Sequence, residues 1–93
     1  MFRAIVQYES APDPERYAQH ISEFVAPVEY DAFRHGKVFG SPLGEPSYRY
    51  YAEFEWADRD SFDAAVRSDA FAASGKDAMA MGIPFTVHFA ELE

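Results

Sequence analysis

The spacing of apolar residues along the chain predicts six elements in the order β-α-β-β-α-β. Apolar side chains recur at every second position in the strand segments and at every third or fourth position in the helical ones. Strands are predicted over residues 2–9, 28–39 and 48–56 and from residue 84 onwards. Each strand has one nearly pure apolar face, which is the natural floor for two helices. The pattern therefore predicts a single α+β domain over residues 1–93 with helices on one side of a sheet.

Polar residues and prolines predict where the helices begin and end. Asp13 can cap a first helix whose first position is Pro14, where a missing N–H costs nothing, and Pro27 ends that helix. Either Asp58 or Asp60 can cap the second helix. The apolar stripe of the first helix contains Tyr17, Ile21, Phe24 and Val25.

Small residues follow the second helix and predict an interrupted segment. Ser68 or Asp69 can cap a short helical stretch that reaches Phe71. Gly75 and Gly82 then bound a separate piece over residues 76–81.

The other face of the predicted sheet mixes polar and apolar side chains, which predicts a homodimer. The chain has 9 Phe, 6 Tyr and 1 Trp, more than one small core can bury, so some should line a cavity or a subunit interface. Arg49, Glu53 and His88 all fall on this mixed face. We expect them to meet between two sheets as an ion pair that fixes the register of the dimer.

The acidic composition and the lack of cysteine exclude several classes of function. A net charge of −8 and a pI near 4.7 disfavour nucleic acid and membrane partners, which proteins usually meet with Lys and Arg. With no cysteine there is no disulfide, zinc–thiolate site or thiol nucleophile. No apolar run approaches the ~18 residues of a membrane span, and no secretory leader is evident. A cytoplasmic location is therefore expected.

The chain resembles the EthD-like family of the dimeric α+β barrel superfamily. The resemblance covers essentially the whole length and includes the Asp13-Pro14 helix start, His20 within that helix, the turn 40–44 and the aromatic strand 48–54. It implies a ferredoxin-like fold with a four-stranded antiparallel sheet, two such sheets pairing as a barrel, and a small-molecule cleft in each protomer. Family members typically have proline two residues after the helix histidine, whereas this chain has Ser22.

His20 is the candidate catalytic residue. It shares the apolar stripe of the first helix, where an imidazole can act as general acid and base. The alternative is a core histidine satisfied by a backbone carbonyl. The candidate substrate-binding residues, whose rings offer flat walls and whose polar atoms offer a few directed bonds, are Tyr17, Tyr50, Phe24 and Trp56.

No metal or cofactor site is predicted. His20 and Glu23 stand one helical turn apart, but His88, a candidate further ligand, falls on the opposite sheet face. The turn 40–44 lacks the ending of a phosphate loop, and there is no Gly-x-Ser-x-Gly elbow. His35, with Asp31 and Lys37 on the same side of its strand, is expected to be exposed to solvent.

These features favour an accessory enzyme that acts on a small apolar or aromatic oxygenated metabolite. The resemblance implies a catabolic or polyketide-like pathway and an oxidoreductase or an isomerase or cyclase, and no dedicated metal is predicted. The alternative is a non-catalytic small-molecule binding or carrier protein. A haem-binding role is a third hypothesis, and we do not expect it.

Overall fold

The computed structural model describes residues 1–93 and consists of one antiparallel sheet with helices on one face. The strands are β1 (Phe2–Tyr8), β2 (Ala32–Lys37), β3 (Tyr50–Trp56) and β4 (Phe85–Glu91), and the helices are α1 (Pro14–His20), α2 (Arg59–Val66) and α3 (Asp69–Ala80). A π-helical turn, Ile21–Val25, continues α1. The strand order β2-β3-β1-β4 confirms the predicted ferredoxin-like α+β fold.

The strand register gathers the apolar face that the alternation predicted. Ala4 lies opposite Phe54 on one side and Phe89 on the other. The core above this face has two parts. One contains Ala4, Val25, Val28, Phe54, Trp56, Phe62 and Ala65, and the other contains Val6, Tyr8, Tyr17 and Ala52.

Side-chain caps fix the start of each α-helix. Asp13 accepts a hydrogen bond from the backbone N–H of Arg16 at 3.0 Å, as its position before Pro14 predicted. Asp58 rather than Asp60 caps α2, and Ser68 rather than Asp69 caps α3. Each cap satisfies an N–H that has no partner within its helix.

Two segments differ from their predicted bounds. β2 covers only Ala32–Lys37, because Val28 is 3 % exposed in the preceding loop and packs into the core instead of joining the sheet. The prediction of two pieces after Ser68 is wrong, since α3 runs unbroken through Gly75. A helix tolerates an internal glycine at a cost of about 1 kcal/mol relative to alanine.

The uncovered face of the sheet contains a local network of charges. Arg3 lies 3.0 Å from both Glu53 Oε2 and Glu55 Oε1, and Arg34 lies 3.4 and 3.2 Å from the same two oxygens. The Tyr51 hydroxyl donates to Glu53 at 3.1 Å. Two arginines and two glutamates therefore neutralise one another on this face.

Within one chain, Arg49, Glu53 and His88 do not form the predicted trio, and their meeting between two sheets stays a prediction. Arg49 precedes β3 and pairs with Glu45 at 2.7 Å. Arg34 takes its place because the register sets Arg34 directly opposite Glu53. His88 is exposed and forms no ion pair.

Candidate functional site

His20 lies at the junction between α1 and the π-helical turn. Its side chain is buried, with only 4 % of the residue exposed, and its Nδ1 lies 2.8 Å from Asp77 Oδ2 on α3. Beyond His20 the helix widens, so that the N–H of Ala26 donates to the carbonyl of Ile21 five residues earlier. Such π-helical turns are rare in proteins and are frequent at functional sites.

Asp77 links His20 to a second cation, Arg16. The Arg16 guanidinium donates to both Asp77 oxygens, at 2.7 and 3.0 Å. This pairing, together with the hydrogen bond from His20, lowers the pKa of Asp77. The ionised carboxylate only accepts hydrogen bonds, so the proton on this side of the imidazole resides on Nδ1.

His20 also lines a small, mostly apolar cavity. The cavity volume is about 60 Å³, and its walls come from β1, β3, β4 and α3. Nε2 of His20 has no hydrogen-bond partner. Thr86 Oγ1 is the only fully buried side-chain polar atom without a partner, so Nε2 is not completely buried. His20 therefore lines the cavity with its ring held by Asp77 and with Nε2 free of a hydrogen bond.

α3 supplies the small side chains on one wall of this cavity. Ser74, Gly75 and Ala78 line it, and Ser74 and Ala78 are buried. The Ser74 hydroxyl donates to the carbonyl of Phe71 at 2.7 Å. Val87 also lines the cavity and is 43 % exposed, so the cavity reaches solvent beside β4.

Tyr17 separates this cavity from an outer groove. Its ring centroid lies 5.3 Å from that of His20 and 5.2 Å from that of Tyr50. Burial raises the pKa of Tyr17 and of Tyr8, so both remain neutral phenols at neutral pH. The outer groove, of about 460 Å³, lies between α1 and β2 and is lined by Tyr17 and Tyr50.

The structure brings together most, but not all, of the residues predicted for the site. Tyr17 lies beside His20, and Phe24 stacks on the imidazole at 6.4 Å between ring centroids. Tyr50 lies on the far side of Tyr17, in the outer groove.

Trp56 is not near His20. It is six residues from Tyr50 along β3, which is about 20 Å of extended chain, and it belongs to the other part of the core. Its indole N–H donates to the carbonyl of Glu29 at 2.7 Å, and its ring packs against Phe62. The side chain is therefore used in packing rather than at the cavity.

Three residues of this region were not predicted from the sequence. Asp77 is 57 positions from His20 in the sequence. Because a break was expected at Gly75, the sequence did not predict which side of α3 Asp77 lies on. Arg16 stands one helical turn before His20, a spacing that could have pointed to a shared partner. His35 is exposed as expected, yet its Nδ1 lies 2.6 Å from the Tyr50 hydroxyl.

No group of three His, Cys, Asp or Glu side chains is placed to hold a metal ion. No helix has both the length and the apolar character that crossing a membrane requires.

Known structures with the same fold include an EthD family protein. No protein-family model and no curated protein sequence matches the chain. An ethyl tert-butyl ether D (EthD) family protein from Bacillus halodurans C-125 has 26 % identity and a TM-score of 0.77, covering 100 % of this chain and 99 % of that one. A dimeric ferredoxin-like protein of unknown function from Jannaschia sp. CCS1 has 20 % identity and a TM-score of 0.66, covering 98 % of both chains. SnoaB, a cofactor-independent oxygenase from Streptomyces nogalater, has 17 % identity and a TM-score of 0.57, covering 98 % of this chain and 91 % of that one.

Proposed function

Since this chain is EthD-like along its whole length, we propose that it is an accessory enzyme for a small apolar or aromatic oxygenated metabolite. The observation that carries the proposal is His20, which lines a mostly apolar cavity with its Nδ1 held by Asp77 and its Nε2 free of a hydrogen bond. The likeness to an EthD family protein and to a cofactor-independent oxygenase supports chemistry on a small molecule. We further propose that residues 1–93 act as a single EthD-like domain.

The proposed chemistry is proton transfer by His20. Nε2 takes a proton from a carbon next to a carbonyl or from a phenol hydroxyl, and the electron pair left behind delocalises as an enolate or a phenolate, respectively. Asp77 orients the ring and stabilises the imidazolium that forms, as a carboxylate does for the histidine of a catalytic triad. Return of the proton to a different atom completes an isomerisation. In a cyclisation the enolate carbon attacks a carbonyl carbon of the same molecule, the C=O π bond breaks, and the imidazolium returns its proton to the alkoxide that forms. The enolate is also the electron-rich form that dioxygen oxidises, so the same step serves an oxidoreductase.

The size of the cavity sets how much of a ligand it encloses. About 60 Å³ is well below the 300–1,000 Å³ of sites for drug-sized ligands. The cavity therefore takes the reacting end of the metabolite, and the rest of the molecule lies in the mouth beside Val87.

A carrier is the second candidate function. In this lining His20 Nε2 has no hydrogen-bond partner, whereas the Ser74 hydroxyl donates to its own helix. A single directed bond within apolar walls is enough to hold a ligand without transforming it.

Turnover distinguishes the two candidates. The purified protein is incubated with hydroxylated aromatic ketones and 1,3-dicarbonyl compounds, and products are followed by liquid chromatography–mass spectrometry. We expect consumption of at least one compound and a loss of about 10²–10⁴-fold in His20→Ala, the usual contribution of a positioned acid–base group. His88→Ala, which removes an exposed histidine on the other sheet face, should retain full activity. Unchanged turnover in His20→Ala would rule out this role, and a compound that binds but returns unchanged would establish the carrier.

We also propose that two copies pair through the uncovered sheet face. No element of the chain packs on this face, although it carries the half-buried Ile5 and Tyr51 and a self-neutralised set of charges. Solved structures of the same fold are described as dimeric. The absence of cysteine suits a reducing compartment, and we place the protein in the cytoplasm.

A further inference from the structure

The outer groove between α1 and β2 has the size and composition of a small-molecule site. Its volume of about 460 Å³ falls within the range of known ligand pockets. Apolar walls come from Pro12, Pro14, Ile21 and the rings of Tyr17 and Tyr50. The groove lies on the helix side of the sheet, so the proposed dimer leaves it open.

The charges around this groove are opposite in sign to the charge of the whole chain. The chain has 16 acidic residues and a net charge of −8, yet no carboxylate is among the lining residues. Lys37 lines the groove and forms no ion pair. Asp13, between the two lining prolines, directs its carboxylate to the N–H of Arg16. Repulsion from the distant acidic residues is largely screened beyond about 8 Å at physiological salt.

Besides the unpaired Lys37 ammonium, the groove contains two side chains that can form directed hydrogen bonds, His35 and Tyr50. The two side chains meet at 2.6 Å through His35 Nδ1 and the Tyr50 hydroxyl. Burial raises the pKa of Tyr50, so the phenol stays protonated. Its hydroxyl can therefore donate a hydrogen bond to His35 Nδ1. In that tautomer His35 retains an Nε2–H as a donor for a ligand.

We propose that this groove binds a flat aromatic ring that bears a carboxylate. The ring lies against Tyr50 and the prolines, where an offset or edge-on arrangement of aromatic rings is favourable. The carboxylate lies between the Lys37 ammonium and the His35 Nε2–H, and both bonds are charge-assisted. This site does not depend on the acid–base role of His20, because Tyr17 stands between the two.

The test compares an aromatic acid with its neutral amide. 2-Naphthoate and 2-naphthamide have nearly the same shape, and each is titrated into the ¹⁵N-labelled protein at neutral pH, with chemical shifts read residue by residue. We expect 2-naphthoate to shift the backbone ¹⁵N–H signals of residues 35–37 and 50. We expect 2-naphthamide to bind about five- to tenfold more weakly. In Lys37→Gln the affinities for 2-naphthoate and 2-naphthamide should differ by no more than about twofold.

Two variants make the test specific. Lys76→Gln removes one positive charge from another exposed lysine, on α3, and should leave binding unchanged. His20→Ala should also leave the binding of 2-naphthoate unchanged. A failure of the acid–base proposal can therefore be told apart from a failure of the groove proposal. Equal binding of acid and amide, shifts confined to other parts of the chain, or equal weakening by Lys76→Gln would overturn the proposal.

Discussion

At the scale of single residues, Asp77 is the group on which the arrangement of the site depends. Its two oxygens accept from Arg16 and His20, and these bonds join α1 to α3. The Asp77 side chain is 11 % exposed and that of His20 is 5 % exposed. Loss of the carboxylate would leave a nearly buried imidazole without its partner, a change that is costly because water cannot replace the lost bond.

Asp77→Asn should therefore destabilise the fold in a pH-dependent way. At pH 7 we expect a free energy of unfolding lower by about 1–2 kcal/mol, the size of a hydrogen bond to a charged group. Because the pKa of Asp77 is lowered from 3.8 in the folded protein, its contribution is complete above that value and disappears as the pH falls through the lowered pKa. The measurement is denaturant unfolding, followed by Trp56 fluorescence, from pH 7 to 3.

The gap between wild type and Asp77→Asn should shrink towards the acid end of that range. Glu9→Gln, at an exposed position, is the matched loss of one carboxylate and should show little effect at any pH. A gap that stays constant from pH 7 to 3 would show that Asp77 does not act through its charge.

The sequence revealed His20 but not the residues that position it. His20 could be found because it interrupts an apolar stripe at helical spacing. The pairing with Asp77 joins residues 57 positions apart, and no local pattern encodes such a distance. Trp56 illustrates the converse: alternation placed it on the same face as Tyr50, but their six-residue separation along one strand, about 20 Å, already argued against a shared cavity.

At the scale of elements, the helix that contains His20 changes type around the position at which the resemblance to EthD-like proteins implies a proline. Ser22 occupies that position, and its hydroxyl donates to the carbonyl of Gln19 at 3.2 Å. The π-helical turn Ile21–Val25 follows directly after His20. Proline would have removed a backbone N–H at this point, whereas serine keeps one and allows the helix to continue.

Gly75 is the element-scale feature that best matches a cavity kept open for a ligand. It lies inside α3, where glycine is about 1 kcal/mol less favourable than alanine. No steric demand explains it, because a Cβ at this position would meet nothing within 4 Å and its φ is not positive. Gly75 also lines the cavity beneath His20. A larger side chain is therefore compatible with the helix, and we expect it to occupy part of the cavity that Gly75 lines.

Element type was largely predictable, and element bounds were less so. The Asp13 cap and the alternation in β1 are local patterns, and both are confirmed. The extent of β2 was not predictable because Val28 is drawn into the core by tertiary packing, which outweighs its strand preference. The same applies to α3, where packing against its neighbours carries the helix across Gly75.

At the scale of the whole molecule, the dimer is the main expectation. Light scattering should report twice the 10.5 kDa of one chain. Ile5→Glu places a second carboxylate directly opposite Glu53 on the uncovered face and should shift the mass to that of one chain, because like charges on directly opposite residues and unpaired buried charges are unfavourable. Met79→Lys, at a position 69 % exposed on the helix side, should remain dimeric. A monomer in the wild-type protein would contradict this assembly.

The most direct test of the central claim, that the cavity beneath His20 is a ligand site, is native mass spectrometry of wild type beside Gly75→Leu. Both proteins are purified from the protein's own host, and Gly75→Ala, which should be at least as stable as wild type, controls for the helix. The wild-type protein should carry a small molecule that is released on denaturation, and Gly75→Leu, with its cavity filled, should not. Identical bound masses in the wild type and Gly75→Leu, or no bound mass in either, would contradict the account.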